Sequence, residues 1–327
     1  MMEQWRKLVA GAMMLGSSLA MAAEESAEQW VQKMLSAARQ VSYQGHSVLL
    51  SGGRMTSLAI YHAPVNNEVW ERVVHLSGEP AEILRKGSTI TCLHPDSASR
   101  LDLQRTPLGK LSALEESAQT ISRYYRFNRA TNERVAGRNG VRINVEPLDA
   151  HRHGYSLWLD EATGVLLKSQ TNPESGDPLE VFEFVELDIG TPLAPEVFTP
   201  SPGLPAGVEA ASIAAATRSA SPAMSPETGQ WEPVWLPEGF RSAGQPATAA
   251  DKPHVSARIY TDGLAAFTVF YERQGGDPRE SSRAHGATVA VHKALPGAAG
   301  MVTVVGEIPL ETATRVAEGV KALAGQP

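Results

Sequence analysis

One cysteine, Cys92, stands alone in a chain of 327 residues, so no intrachain disulfide can brace the fold. It lies in a β-branched run, residues 89–93, that reads as a strand, where a thiol is expected to be buried and inert. Basic runs with interleaved aromatics are missing, which excludes a nucleic-acid binder. The net charge of −7 is no more than ordinary solubility requires. The apolar run near the N-terminus falls short of the ~20 residues of a membrane span. No G-x-S-x-G, H-E-x-x-H, P-loop or G-x-G-x-x-G motif occurs, so no nucleotide cofactor or familiar hydrolytic centre is indicated. Binding is therefore a better reading than catalysis.

What is present divides the chain. In residues 201–229, 22 of 29 residues are Ser, Pro, Gly, Ala or Thr. Such a stretch buries too little apolar surface to offset the entropy of ordering it, and strand and helix signals lie on both sides. It reads as a flexible linker between two folded units; any Ala-rich helical turn within residues 208–217 is kept short by the flanking prolines. At the other extreme, Arg6 and Lys7, an apolar stretch over residues 8–19, and Ala20-Met21-Ala22 form a secretory signal peptide over residues 1–22. The mature protein is expected to be exported and soluble, with no cysteine at the cleavage point to carry a lipid anchor.

The first unit covers residues 23–200. Ser26 and Gln29 have the form of a capping box, and Trp30, Met34 and Ala38 follow on one face, which predicts a helix over residues 27–40. The period then changes to two over residues 48–50, 55–62, 68–76, 82–86 and 89–94, punctuated by glycine and asparagine turns, as in an antiparallel meander. A second capping box, Ser112 and Glu115, opens a helix with Leu111, Leu114, Ala118, Ile121 and Tyr125 on one face. Asn139-Gly140 is the strongest hairpin signal of the chain, between strands at 133–138 and 141–146. Strands over 151–160, 165–168 and 179–187 complete the set. In them Tyr155, Leu157 and Leu159 share a face opposite Ser156 and Trp158, and Phe182 and Phe184 lie opposite Val181, Glu183 and Val185. So long an antiparallel sheet, with only two helices, should curl over them as an α+β unit. It leaves an apolar groove between sheet and helices unless side chains fill it.

The second unit, residues 230–327, opens on aromatic anchors, Trp231, Trp235 and Phe240. A hairpin turns at Asp262-Gly263, a second strand pair lies over 287–294 and 301–307, and Pro309 opens a terminal helix bearing Ala313, Val316, Ala317 and Val320. This is a smaller α+β domain, with an edge strand suited to an extended peptide. His151 and His153 are spaced for one strand face, but with Arg152 between them and no nearby acidic or thiol ligand they read as polar residues at a strand start rather than a metal pair. Asp160 and Glu161 read as a turn, not a paired-carboxylate centre.

Five motifs, in this order and spacing, resemble the RseB/MucB family: Ser42-Tyr43-Gln44-Gly45, the run from His151 to Ser169, Trp235 to Phe240, Tyr260 to Phe270, and Met301 to Pro309. The resemblance implies a periplasmic regulator of an envelope-stress sigma factor. Its N-terminal domain would be an unclosed barrel similar to LolA and LolB. It would bind the periplasmic region of an RseA/MucA-type anti-sigma factor and shield it from regulated proteolysis, until lipid or lipopolysaccharide enters the N-terminal domain. A homo-oligomer is left open; a lipid or lipoprotein carrier is the alternative and an esterase a distant third. No contact residue transfers from the family. Position alone offers Trp30, Met34, Trp70, Leu114, Ile121, Tyr155, Trp158, Phe182 and Phe184 for a lipid groove. For the partner it offers Trp235, Phe240, Tyr260, Phe267 and Phe270.

Overall fold

The computed structural model describes residues 25–87, 89–93, 118–204, 208–211, 231–243, 247–249, 252–273, 279–295 and 300–322. The leader, Leu114 with the start of its expected helix, and residues 212–229 lie outside the described residues. Helix α1 (Ala27–Gln40) begins with the expected reciprocal cap: Gln29 N–H donates to Ser26 Oγ, and the Gln29 side chain accepts from Ser26 N–H at 2.7 Å. It turns Trp30, Val31, Met34 and Leu35 inward.

Five strands follow as a meander, β1 (Tyr43–Ser51), β2 (Arg54–Val65), β3 (Glu68–His75), β4 (Glu82–Lys86) and β5 (Thr89–Leu93). A short helix, α2 (Ala118–Ile121), leads into a second run: β6 (Tyr125–Arg129), β7 (Glu133–Val135), β8 (Arg138–Pro147), β9 (Gly154–Asp160), β10 (Leu166–Asn172) and β11 (Glu180–Ile189). The first and last of these strands, β1 and β11, pair antiparallel and join the two runs. A further strand, β12 (Val208–Ala211), pairs with β5 and completes a sheet of 12 strands. The sheet path ends at β12 and β6 without returning on itself, so it is curled and unclosed. One set of alternating side chains from both runs converges with α1 on a single core that holds Tyr43, Leu58, Ile60, Val73, Ile143, Leu157, Leu159, Phe182 and Phe184.

Two local expectations are corrected. The hairpin turns at Ala136-Gly137, both at positive φ, and not at Asn139-Gly140, which sit inside β8 opposite Arg134 and Glu133. This register puts Val135 beside Trp158 and Leu167 on one side and Val141 and Ile143 in the main core on the other; a turn three residues later would change that pairing. Gly140 is needed instead for close approach, since a Cβ there would stand 3.0 Å from the Glu133 carbonyl oxygen. Within the stretch expected to be linker, Val208–Ala211 forms a strand and no helical turn, because β5 offers an open edge whose backbone groups it pairs.

The small domain is built on β14 (Arg241–Ser242), β15 (Ala247–Ala249), β16 (Lys252–Thr261), β17 (Ala266–Arg273), β18 (Ser281–His285), β19 (Thr288–Ala294) and β20 (Gly300–Gly306). These form a sheet of seven strands, three more than the two expected hairpins supply. Helix α3 (Leu310–Glu318) covers one face, and a ribbon of β13 (Trp231–Pro233) with β21 (Val320–Ala322) ties the start of the domain to its end. Trp231 is buried in that core and donates from Nε1 to Ser256 Oγ at 2.6 Å.

Candidate functional site at the domain junction

Between the two expected histidines, Arg152 lies in the bend before β9, and there the domains meet. Its side chain and that of Asp262 are both fully buried. Arg152 Nη1 donates to Asp262 Oδ2 at 2.7 Å; Nε and Nη2 donate to Asp149 Oδ1 and Oδ2 at 3.0 and 2.9 Å; Nη2 also donates to the Glu238 carbonyl at 2.6 Å. The rings of Tyr124, Tyr125 and Phe240 surround the guanidinium at 5.0, 5.5 and 5.1 Å. Burial works against the charge, but Asp149, Asp262 and Tyr125 outweigh it and raise the Arg152 pKa.

Asp262 is equally well satisfied. Its Oδ2 also accepts from the Tyr125 hydroxyl at 3.0 Å, and its Oδ1 accepts from the Leu264 and Ala265 N–H groups at 2.9 and 2.7 Å. Burial, then the Asp262 charge, pushes the Tyr125 hydroxyl well above its ordinary pKa, so it remains a donor. The expected Asp262-Gly263 hairpin is real, and its tip is one of the small domain's contributions to the junction. Alongside, His151 Nδ1 lies 3.1 Å from Thr312 Oγ1, and its ring stands edge-on to Trp235, over whose ring Arg315 sits at 3.8 Å. Gly239, at φ +85, lies against the Tyr124 ring where a Cβ would collide. Farther along, the Gly52 turn lies against His285, and Gly286 against Ser51.

Among the groove candidates, Trp30, Met34, Ile121, Tyr155, Phe182 and Phe184 come together in the large core, and Phe182 and Phe184 are fully buried. These side chains pack together in the interior of the large domain. Trp158 and Trp70 do not join them. Trp158 lies on the opposite sheet face with Val135 and Leu167, under Arg142 and Lys168, and donates from Nε1 to Glu133. Trp70 packs edge-on to Phe198 of a 3-10 turn, Pro195–Phe198. Both err for one reason: alternation along a strand sends neighbours to opposite faces, and the outer face has its own aromatic clusters. Of the partner candidates, Tyr260 and Phe267 are core residues stacked on each other, so they offer no exposed anchor. Phe240 and Trp235 belong to the junction, and Phe270 is half-buried on the sheet face opposite α3.

Asp160 is no solvated turn residue but is buried, accepting from Arg138 at 2.7 Å and from the Thr163 N–H and hydroxyl. Burial raises its pKa, yet these bonds and the Arg138 charge outweigh burial and lower it. Among the described residues no group of His, Cys, Asp or Glu is arranged to hold a metal ion.

A polar row crosses the inner face. Tyr43, His62, Glu71 and Arg85 stand opposite one another across β1 to β4, all buried. The His62 ring stacks on Tyr43 at 4.5 Å, and neither of its nitrogens has a partner in hydrogen-bond geometry. Burial lowers its pKa from 6.5 to about 4, opposed by the Ala38 carbonyl and helped by Arg85. Between those two values the unfolded chain holds a proton that the folded one does not. Stability should therefore fall as pH drops through this window, by about 3 kcal/mol in total. A His62→Phe variant, which keeps the stacked ring, should lose less stability to acid than the parent in urea unfolding at pH 7 and pH 4.5. Equal losses would show that His62 is not held neutral.

Comparison with known proteins agrees with this architecture. Residues 26–202 match the MucB/RseB N-terminal domain and residues 225–321 the MucB/RseB C-terminal domain. The sigma factor AlgU regulatory protein MucB of Pseudomonas aeruginosa is 34% identical over 319 residues, 94% of this chain and 96% of the relative. The sigma-E factor regulatory protein RseB of Escherichia coli K12 is 24% identical over 305 residues, 90% of this chain and 91% of the relative. Among solved structures, the Pseudomonas aeruginosa MucA/MucB complex matches with a TM-score of 0.72 at 30% identity, covering 91% of this chain and 99% of that one. MucB in complex with MucA(peri) matches with a TM-score of 0.69 at 30% identity, covering 91% and 100%. With both domains matched along nearly its whole length, the chain belongs to the MucB/RseB family of sigma-factor regulatory proteins.

Proposed function

We propose that this protein is a periplasmic negative regulator that binds the periplasmic region of a MucA/RseA-type anti-sigma factor, shields it from regulated proteolysis, and releases it when lipid or lipopolysaccharide binds the large domain. The observation that carries this reading is similarity across both domains to a protein solved in complex with MucA. The protein acts by binding and not by catalysis, as its relatives' names as regulators suggest. Export follows from the leader motif at residues 1–22; among the described residues no helix is long and apolar enough to cross a membrane. Residues 201–229, of which Val208–Ala211 pairs with the edge of the large sheet, serve in this reading as the connection that lets the placement of the domains change.

Tagged full-length protein should co-purify with the periplasmic segment of such an anti-sigma factor, and added lipopolysaccharide should reduce the captured amount. Capture unchanged by lipopolysaccharide would separate partner binding from lipid release. Acylated lipoprotein co-purifying in place of the anti-sigma segment would make the protein a carrier.

A further inference from the structure

The sheet of the small domain has one covered edge and one bare one. Its strand order is β14-β16-β17-β20-β19-β18, and β15 joins β14 along the outer edge of β16. At the other end, among the described residues, β18 pairs with β19 alone, and all five of its residues are exposed. The hairpin fixes which of its backbone groups are free. Two residues, Gly286-Ala287, join β18 to β19, with Gly286 at positive φ, so His285 and Thr288 face each other as a hydrogen-bonded pair. Bonded and open pairs alternate along an antiparallel ladder. Ser281, Arg283 and His285 therefore direct their N–H and C=O groups to β19, and Ser282 and Ala284 turn theirs outward. Those groups are a template for one more strand.

The side chains select the strand that can be added. Arg283 lies between the two outward-facing residues, where the side chains of paired strands come closest. It is exposed and makes no ion pair among the described residues, whereas Lys293 on β19 already holds Glu280 and Glu318 at 3.1 and 3.3 Å. A second copy of the chain, paired edge to edge through Ser282 and Ala284, would set Arg283 against its own counterpart, and like charges directly opposite oppose pairing. A segment with a carboxylate at that place gains where the second copy loses. The edge also ends at the junction: a Cβ on Gly286 would meet Ser51 and the Leu179 carbonyl, and the Gly52 turn lies against His285.

We propose that the free edge of β18 is a docking site for an extended segment of the anti-sigma partner, which adds a strand to the small sheet and sets an acidic side chain opposite Arg283. This rests on the reading of the protein as an anti-sigma binder and gives that reading a place on the molecule. Backbone pairing supplies the affinity, and the cation at the centre of the edge supplies the choice of partner.

The test titrates the full-length protein and its Ser282→Pro and Arg283→Glu variants with the periplasmic segment of a MucA/RseA-type anti-sigma factor. The proline stands where no N–H is given to β19, so the hairpin keeps its ladder while an added strand loses a donor. Both variants should keep the parent's urea midpoint and bind the segment on the order of tenfold more weakly. In the parent, the Ser282 and Ala284 amides should exchange faster than those of Arg283 and His285, and should slow when the segment binds. Parent-like affinity in either variant overturns the proposal. Slow exchange at Ser282 and Ala284 in the free protein also overturns it, by showing the edge already covered. Should the proline lower the urea midpoint, Arg283→Glu and the exchange pattern decide. Failure of the parent itself to bind the segment brings down the anti-sigma reading and this proposal together, whereas variants that bind like a binding parent remove the proposal alone.

Discussion

Replacing Arg152 with methionine should remove about 3–5 kcal/mol of the free energy that couples the two domains. The pair it forms with Asp262 has no solvent exposure on either side, so loss of the cation leaves a buried carboxylate with only neutral donors, the Tyr125 hydroxyl and the N–H groups of its own loop. The protein can escape that state only by undocking, which lets Asp262 reach water and caps the cost at the docking free energy. The expected record is a single urea transition in the parent resolved into two in the variant, with the smaller domain melting on its own. An Arg152→Met/Asp262→Asn pair should recover much of the loss, because the amide accepts from Tyr125 and from the loop N–H groups without a charge to solvate. The double-mutant cycle isolates the pair from the packing of the arginine stem. A single transition at the parent's midpoint in Arg152→Met would show that the ion pair contributes nothing to docking.

The Phe184→Ala variant should lose about 3–5 kcal/mol, the cost of removing an aromatic side chain from a site that cannot collapse. Phe184 stands edge-on to Phe182 at 5.1 Å and to Tyr43 at 6.1 Å, in the strand that closes the two runs of the large sheet. Its neighbours are fixed by backbone pairing on both sides, β1 and β10, so little relaxation is available. Denaturation midpoints measure the loss. A change below 1 kcal/mol would mean that the interior repacks freely around the loss.

The sequence predicts the elements well where a local signal and a tertiary demand agree. The capping box of α1, the alternation around Leu157 and Leu159, the Asp262 turn and the terminal helix as far as Glu318 are of this kind, although Val320, expected on that helix, lies in β21. It misleads where distant chain sets the outcome. Asn139-Gly140 carries the better turn chemistry, yet the register that buries Val135 and Val141 on opposite faces places the turn at Ala136-Gly137. Trp158 and Trp70 look like groove residues by size, but only the folded sheet shows that its outer face has cores of its own. The junction was least legible. Arg152 is hidden between two histidines that invite a metal reading, and its partner Asp262 looks like a turn residue and nothing more. One signal was available: an aspartate at a hairpin tip normally faces water, and the tip here is followed by an apolar Leu264-Ala265-Ala266 run that a solvated turn has no reason to carry.

The pairing of β1 with β11 has a consequence for how the chain comes into being. Tyr43 meets Ile189 and Ser51 meets Glu180, so the strand made first must wait for one made more than a hundred residues later before its second edge is covered. Until then the nascent protein carries a bare strand edge beside an uncovered apolar face, the condition that invites intermolecular pairing. Contacts of such long sequence separation also slow folding, because loop closure precedes any reward. A chain that crosses a membrane unfolded, from its N-terminus, would meet this interval on the far side, and the yield of folded regulator would then depend on how well that edge is protected in transit.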